Sequence, residues 1–100
     1  MSKLKITLVM VARVNHEQLV RCLESVKGHV TGCFLLVDPG NYARALSILA
    51  EVFALQIPFS VKETEWKNIS TNRNEAFTEA RLQYPESDYY LVLDEDDYLP

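Results

Sequence analysis

KITLVMVA, residues 5–12, is apolar apart from Lys5 and Thr7 and rich in β-branched and aliphatic side chains. A strand with one wet face would alternate polar and apolar residues. A nearly continuous apolar run instead marks a strand covered on both faces, the habit of parallel sheets. The rest of the chain agrees with that reading. Asn15 stands at a helix N-cap position with Gln18 three places on, as in a capping box, and Leu19, Leu23 and Val26 give the stripe of HEQLVRCLESVK before Gly28 ends it. CFLLVD (33–38) is a second buried strand, broken by Pro39-Gly40. Ala45, Leu46, Leu49, Val52 and Phe53 recur at helical spacing between Tyr42 and Leu55. FSVKE (59–63) follows Pro58 as a short strand. Ser70 or Thr71 is expected to cap a third helix, NRNEAFTEARLQ, with Ala76, Phe77 and Ala80 on its apolar side. DYYLVLD (88–94) is the fourth strand. The order β-α-β-α-β-α-β predicts a three-layer α/β/α sandwich on a mainly parallel sheet, with right-handed crossovers.

The bulk numbers fit one such domain. One hundred residues with 48% hydrophobic and 24% charged residues can bury a core without disulfides. A net charge of −4 argues against a nucleic-acid partner. Cys22 and Cys33 have neither zinc-ligand nor disulfide-framework spacing, so both are expected as reduced thiols in the core of a cytoplasmic protein. Residues 4–12 are too few to span a bilayer, and no leader cleavage site follows them.

In a parallel sheet of this kind, ligands gather beyond the carboxyl ends of the strands. Three segments fall there: ARVN (12–15), DPGN (38–41) and DEDD (94–97). None carries the glycine spacing of a dinucleotide fingerprint or a P-loop. Asp94 and Asp96, two apart on an extended chain, point to one side, and Glu95 points away. Carboxylates so placed repel each other, and a hard divalent cation relieves the repulsion. Mg²⁺ or Mn²⁺ held this way takes its other ligands from water and a substrate's phosphates. It then neutralises charge on a departing phosphate. Asp97 is either a further metal contact or the cap of a following helix. A solvated acidic turn is the plain alternative. Trp66 is expected to be a packing residue, Arg13 a surface arginine, and His16 and His29 solvated.

Four segments, taken in order, resemble family-2 inverting glycosyltransferases. NHEQLVRCLESV (15–26) is similar to their NEExLxRCLxSV opening, and VDPGN (37–41) stands where they have VDDGS or VDTGS. EWKNISTNRNEAF (65–77) is similar to a W-x-x-F-x-x-A-R-N-x-A segment of one branch, and YLVLDEDDYLP (90–100) to ILxLDADDxLxP. The resemblance implies the GT-A fold and a nucleotide-diphospho-sugar donor, UDP-linked by default, used with Mn²⁺ or Mg²⁺. It implies that Asp38 hydrogen-bonds the base, Arg73 reaches the nucleotide, and Asp94 approaches the ribose or base. Asp96 binds the metal, helped by Asp94 or Asp97, and Ala12 and Asn15 lie against the nucleotide. Asn74 is given a structural role at the head of the third helix. Ala12-Arg13-Val14-Asn15 replaces the Pro-x-Tyr-Asn common in the family, so its base-stacking tyrosine is absent.

In such enzymes the general base and the acceptor surface lie downstream of the Asp-x-Asp segment. Residues 1–100 are therefore expected to be a donor-binding domain, the first half of a truncated catalytic domain whose acceptor is unknown. An unpaired last strand would favour self-association into a homo-oligomer. A nucleotidyltransferase, a phospho-receiver domain and a catalytically incomplete interaction module are the competing readings. The first lacks its glycine-rich loop here, and the second lacks its acidic pair after strand one.

Overall fold

A computed structural model describes residues 4–54 and 56–97. Leu55, the expected end of the second helix, and residues 98–100 of the acidic motif lie outside the described residues. The elements run β1 (Ile6–Ala12), α1 (His16–Val26), β2 (Gly32–Val37), α2 (Tyr42–Phe53), β3 (Phe59–Glu63), α3 (Ile69–Gln83) and β4 (Tyr89–Val92). The four strands are all parallel, in the order β3-β2-β1-β4. This is the expected α/β architecture.

That order places the helices. The β1–α1–β2 and β2–α2–β3 crossovers step in one direction, so right-handed connections put α1 and α2 on the same face. The third crossover passes back over β2 and β1 to reach β4, which puts α3 on the other face. Burial follows this division. Leu8, Met10 and Ala12 of β1 join Leu19, Leu23, Leu49 and Phe53 in a large core beneath α1 and α2. Val9 joins Phe34, Leu36, Ala76 and Ala80 in a thinner core beneath α3. The direction of winding reverses between β1 and β4.

The α3 side is thin because α3 buries only Asn72, Ala76 and Ala80. Phe77, expected in the core, is 37% exposed and packs edge-on against Tyr90, with ring centroids 5.4 Å apart. The small alanines let α3 approach the sheet closely, which leaves a bulkier neighbouring side chain on its flank. Leu46 likewise lies at the margin of α2, whereas Ile48 is buried. Polar contacts tie α3 to β3: Lys62 pairs with Glu79 at 2.9 Å, and the Thr64 hydroxyl donates to Glu75 at 2.9 Å.

One expected cap is present with a different return bond, and the other is corrected. Asn15 does cap α1, its Oδ1 accepting from the Gln18 amide at 3.1 Å. The return bond of a capping box does not come from Gln18. Glu95 supplies it, accepting the Asn15 amide at 2.6 Å. For α3, the cap is neither Ser70 nor Thr71. Asn68, held extended, accepts the Thr71 amide at 2.9 Å, so the helix begins at Ile69.

Cys22 and Cys33 are free and buried. Burial, followed by the charges of Asp97 and Glu95, pushes the Cys22 thiol up to about 11, and burial pushes Cys33 up further still. Because the thiolate is the reactive form, neither cysteine should react with Ellman's reagent at pH 8 in the native protein. Both should react in denaturant, so native modification should proceed at the unfolding rate. Fast reaction of one thiol in the native state would contradict the packing described here.

Candidate functional site

The reversal between β1 and β4 opens a crevice at their carboxyl ends, where doubly wound sheets place ligands. A hollow of about 470 Å³ lies there, lined among others by Arg13, Trp66, Arg73, Asp94, Glu95 and Asp96. Asn15 also lines it. The sites expected from sequence are thus partly brought together. Asn15, Arg73, Asp94 and Asp96 share the hollow. Asp97 adjoins it through Asp94. Ala12 is buried in the core beneath α1 and α2, so it is Val11 that faces the hollow. Asp38 lies at the end of β2, beyond β1 from the acids, half-buried and outside the lining.

The acids converge for a reason other than the expected one. Extended geometry does not persist through Asp94 and Asp96. The chain turns there: the Asp97 amide donates to the Asp94 carbonyl at 2.9 Å, and the Asp97 carboxylate accepts the Asp94 amide at 3.0 Å. This reciprocal turn gathers Asp94, Asp96 and Asp97 so that one carboxylate oxygen from each lies within 4.8 Å of the others. Asp94 is further ion-paired with Arg73. Asp96 is exposed and, among the described residues, has no hydrogen-bonding partner.

These oxygens suit a hard cation in kind. In an octahedral Mg²⁺ shell with ligands at about 2.1 Å, two oxygens of one shell are at most about 4.2 Å apart. A separation of up to 4.8 Å therefore needs only a small closure of exposed side chains. Such a closure is what neutralising their mutual repulsion would produce. Each carboxylate also keeps a second oxygen, so the Arg73 pair and the turn bond need not be broken.

Glu95 points away from these acids, as expected, but does not enter solvent. Its carboxylate turns back onto the β1–α1 loop and accepts the amides of Arg13 at 3.2 Å and Asn15 at 2.6 Å. Burial raises its pKa, against the opposing pull of those amides. The loop needs such support. Val14 is buried with a φ of 61°, a left-handed conformation that is costly for a β-branched residue. Glu95 holds its flanking amides while Arg44 Nη2 donates to its carbonyl at 3.0 Å. One consequence is chemical. Amides at this loop and helix start would ordinarily cradle an anion. Here a carboxylate already fills the cradle, so a phosphate near the hollow needs another source of positive charge.

Sequence reasoning missed the opposite wall. Trp66 is 41% exposed rather than packed inside, and the Arg13 guanidinium lies 4.5 Å from its ring centroid. The segment carrying Trp66 is fastened by Asn72, not by Asn74. Fully buried, Asn72 accepts the Lys67 amide at 2.9 Å and donates to the Glu65 carbonyl at 3.2 Å. Asn74, two residues on and so on the opposite side of α3, is exposed. Only burial on the underside of α3 distinguishes the two, and the weak apolar stripe of that helix hides which face is inward. Asn72→Ala should therefore cost about 1–3 kcal/mol, since it removes a fully buried side chain and both hydrogen bonds by which it holds residues 65 and 67. Asn74→Ala should stay within about 0.5 kcal/mol. Chemical denaturation of the two variants checks this; equal effects would contradict the assignment.

A larger cavity of about 630 Å³ lies at the opposite, amino-terminal edge of the sheet, beside Thr7, Tyr84 and Pro85. Among the described residues its charged side chains are Lys5 and Glu86, which pair with each other at 3.3 Å, and no convergent set of ionisable groups lines it.

No family model matches the chain, and no curated protein matches it significantly. The fold alone is compatible with many enzymes. No helix among the described residues is long and apolar enough to cross a membrane.

Proposed function

We propose that this chain binds a nucleotide-diphospho-sugar through a divalent cation and forms the donor-binding part of an inverting glycosyltransferase. The observation that carries the reading is one of placement. Three carboxylates and an arginine meet at the switch point of a parallel sheet, beside a loop whose anion cradle is already filled by Glu95. Among the described residues lining the hollow, a diphosphate arriving there finds its charge balanced through Arg73 and Arg13, and beyond them through a bound cation.

In this reading Asp96 is the principal metal ligand, with Asp94 and Asp97 as its neighbours. When bound, Mg²⁺ or Mn²⁺ supplies neutralisation of the diphosphate as the sugar leaves. Arg73 orients Asp94 and presents its remaining donors to the nucleotide. Asn15 keeps the β1–α1 loop in place, with Ala12 as that strand's last buried residue. Asp38, whose carboxylate has no partner among the described residues, is the hydrogen-bonding contact for the base. The resemblance of residues 15–26, 37–41, 65–77 and 90–100 to family-2 glycosyltransferases supports the same assignment.

Calorimetric titration with UDP, CDP, GDP and UDP-sugars, with and without Mg²⁺, tests it. Metal-dependent binding of at least one of these ligands is the expected result. Absence of binding under every condition would overturn the reading in favour of an interaction module.

A further inference from the structure

We propose that Trp66, layered with the Arg13 guanidinium, is the stacking platform for the nucleotide's base. The inference rests on the nucleotide-binding reading above and names the part of the site that would recognise the nucleoside.

Trp66 is the only tryptophan of the chain, and it stands open on the wall of a concave hollow that Val11 and Ile69 line beside the charged groups. An indole usually buries its large apolar surface. Here the surface that remains exposed faces a site that already holds two guanidiniums and three carboxylates. Arg13 lies over the ring at 4.5 Å, a cation–π geometry. A planar guanidinium on an indole makes a layered pair, and a flat heterocycle can extend such a layer because every base has a π-face.

The pair is held from behind on both sides. The Arg13 amide is bonded to Glu95, and Asn72 clasps the residues before and after Trp66. A platform fixed before the ligand arrives loses little freedom on binding. Glu95 also belongs to the turn that gathers Asp94, Asp96 and Asp97, so the platform and the acids are mechanically one unit. The hollow's volume lies in the range of small-ligand sites. A flat aromatic group joined to an anionic tail, as in a nucleoside diphosphate, matches both ends of it.

The lone tryptophan is its own reporter. Emission excited selectively at Trp66 is followed while UDP, CDP, ADP, GDP and inorganic pyrophosphate are added in turn with Mg²⁺, a cation that does not itself quench. At least one nucleoside diphosphate should quench the emission saturably, and pyrophosphate should leave it unchanged. In parallel calorimetry, Trp66→Leu should weaken that nucleotide roughly tenfold or more while pyrophosphate affinity stays as it was. Trp66→Phe should restore most of the loss. If a nucleotide binds by calorimetry but Trp66 emission is unaltered and Trp66→Leu binds equally well, the platform is wrong and the nucleotide reading stands. If no nucleotide binds by calorimetry, both fall.

Discussion

Asp96→Ala is expected to weaken Mg²⁺-dependent nucleotide binding at least about a hundredfold, since disturbing even the supporting shell of a metal site costs ten- to a hundredfold. Asp96 is the acid of the cluster that no other described residue engages. Asp94 is tied to Arg73 and Asp97 to the Asp94 amide, so each has a structural reason to be there. Asp96 is exposed and without a partner among the described residues, and a structural role would not explain it. The same substitution should leave stability within about 0.5 kcal/mol of the parent, because it removes an exposed charge from a crowded acidic turn. Loss of binding with unchanged stability separates a ligand-binding role from a folding role. Asp96→Asn should fall between the two, keeping an oxygen donor without its charge. Parent-like affinity in both variants would remove Asp96 from the metal site.

Phe34→Ala should cost about 3–5 kcal/mol, a large share of a small domain's stability. Phe34 is fully buried on β2 and is the largest of the fully buried side chains beneath α3. Its fully buried companions there are Val9, Leu36 and two alanines, with Val11, Tyr84 and Tyr90 half-buried at the margin, so the ring's removal leaves a void at the centre of a thin layer. The opposite core contains many more large side chains and should absorb a comparable truncation such as Leu23→Ala at about 2–5 kcal/mol. The two also differ in what they loosen. α3 carries Arg73 and, through Asn72, the Trp66 segment. Phe34→Ala should therefore redden Trp66 emission below the unfolding transition, and Leu23→Ala should not. Denaturant melts monitored by tryptophan emission and by far-ultraviolet circular dichroism, compared for coincidence, check this. Coincident transitions with unchanged native emission in Phe34→Ala would contradict the thin-core account.

The fold was legible because its signals are local and period-based. KITLVMVA and CFLLVD could only be covered strands, and α1 and α2 show clear stripes. What sequence could not supply was the partner of each polar group. Gln18 satisfies the capping-box pattern, yet Glu95, eighty residues from Asn15, makes the bond. No periodicity encodes a contact of that separation. Ser70 and Thr71 are reasonable caps by type, but Asn68 has the extended backbone that the position requires. Asp94 and Asp96 were placed together by an alternation rule that the turn at 94–97 abolishes, and the turn assembles the cluster by other means. Trp66 was misplaced because its residue type suggests burial. Its exposure follows from loop geometry fixed by Asn72, which a linear reading treats as one polar residue among several.

In the proposed site the turn after β4 seats a divalent cation between its carboxylates and a nucleotide's phosphates. Titrating Mg²⁺ into isotope-labelled protein in the presence of UDP, and following each backbone amide by NMR, tests it most directly. Saturable shifts are expected at residues 94–97 and in the 12–15 loop, and none in Asp96→Ala. Shifts scattered thinly over surface acids such as Glu24, Glu51 and Glu86, with residues 94–97 unmoved, would contradict it.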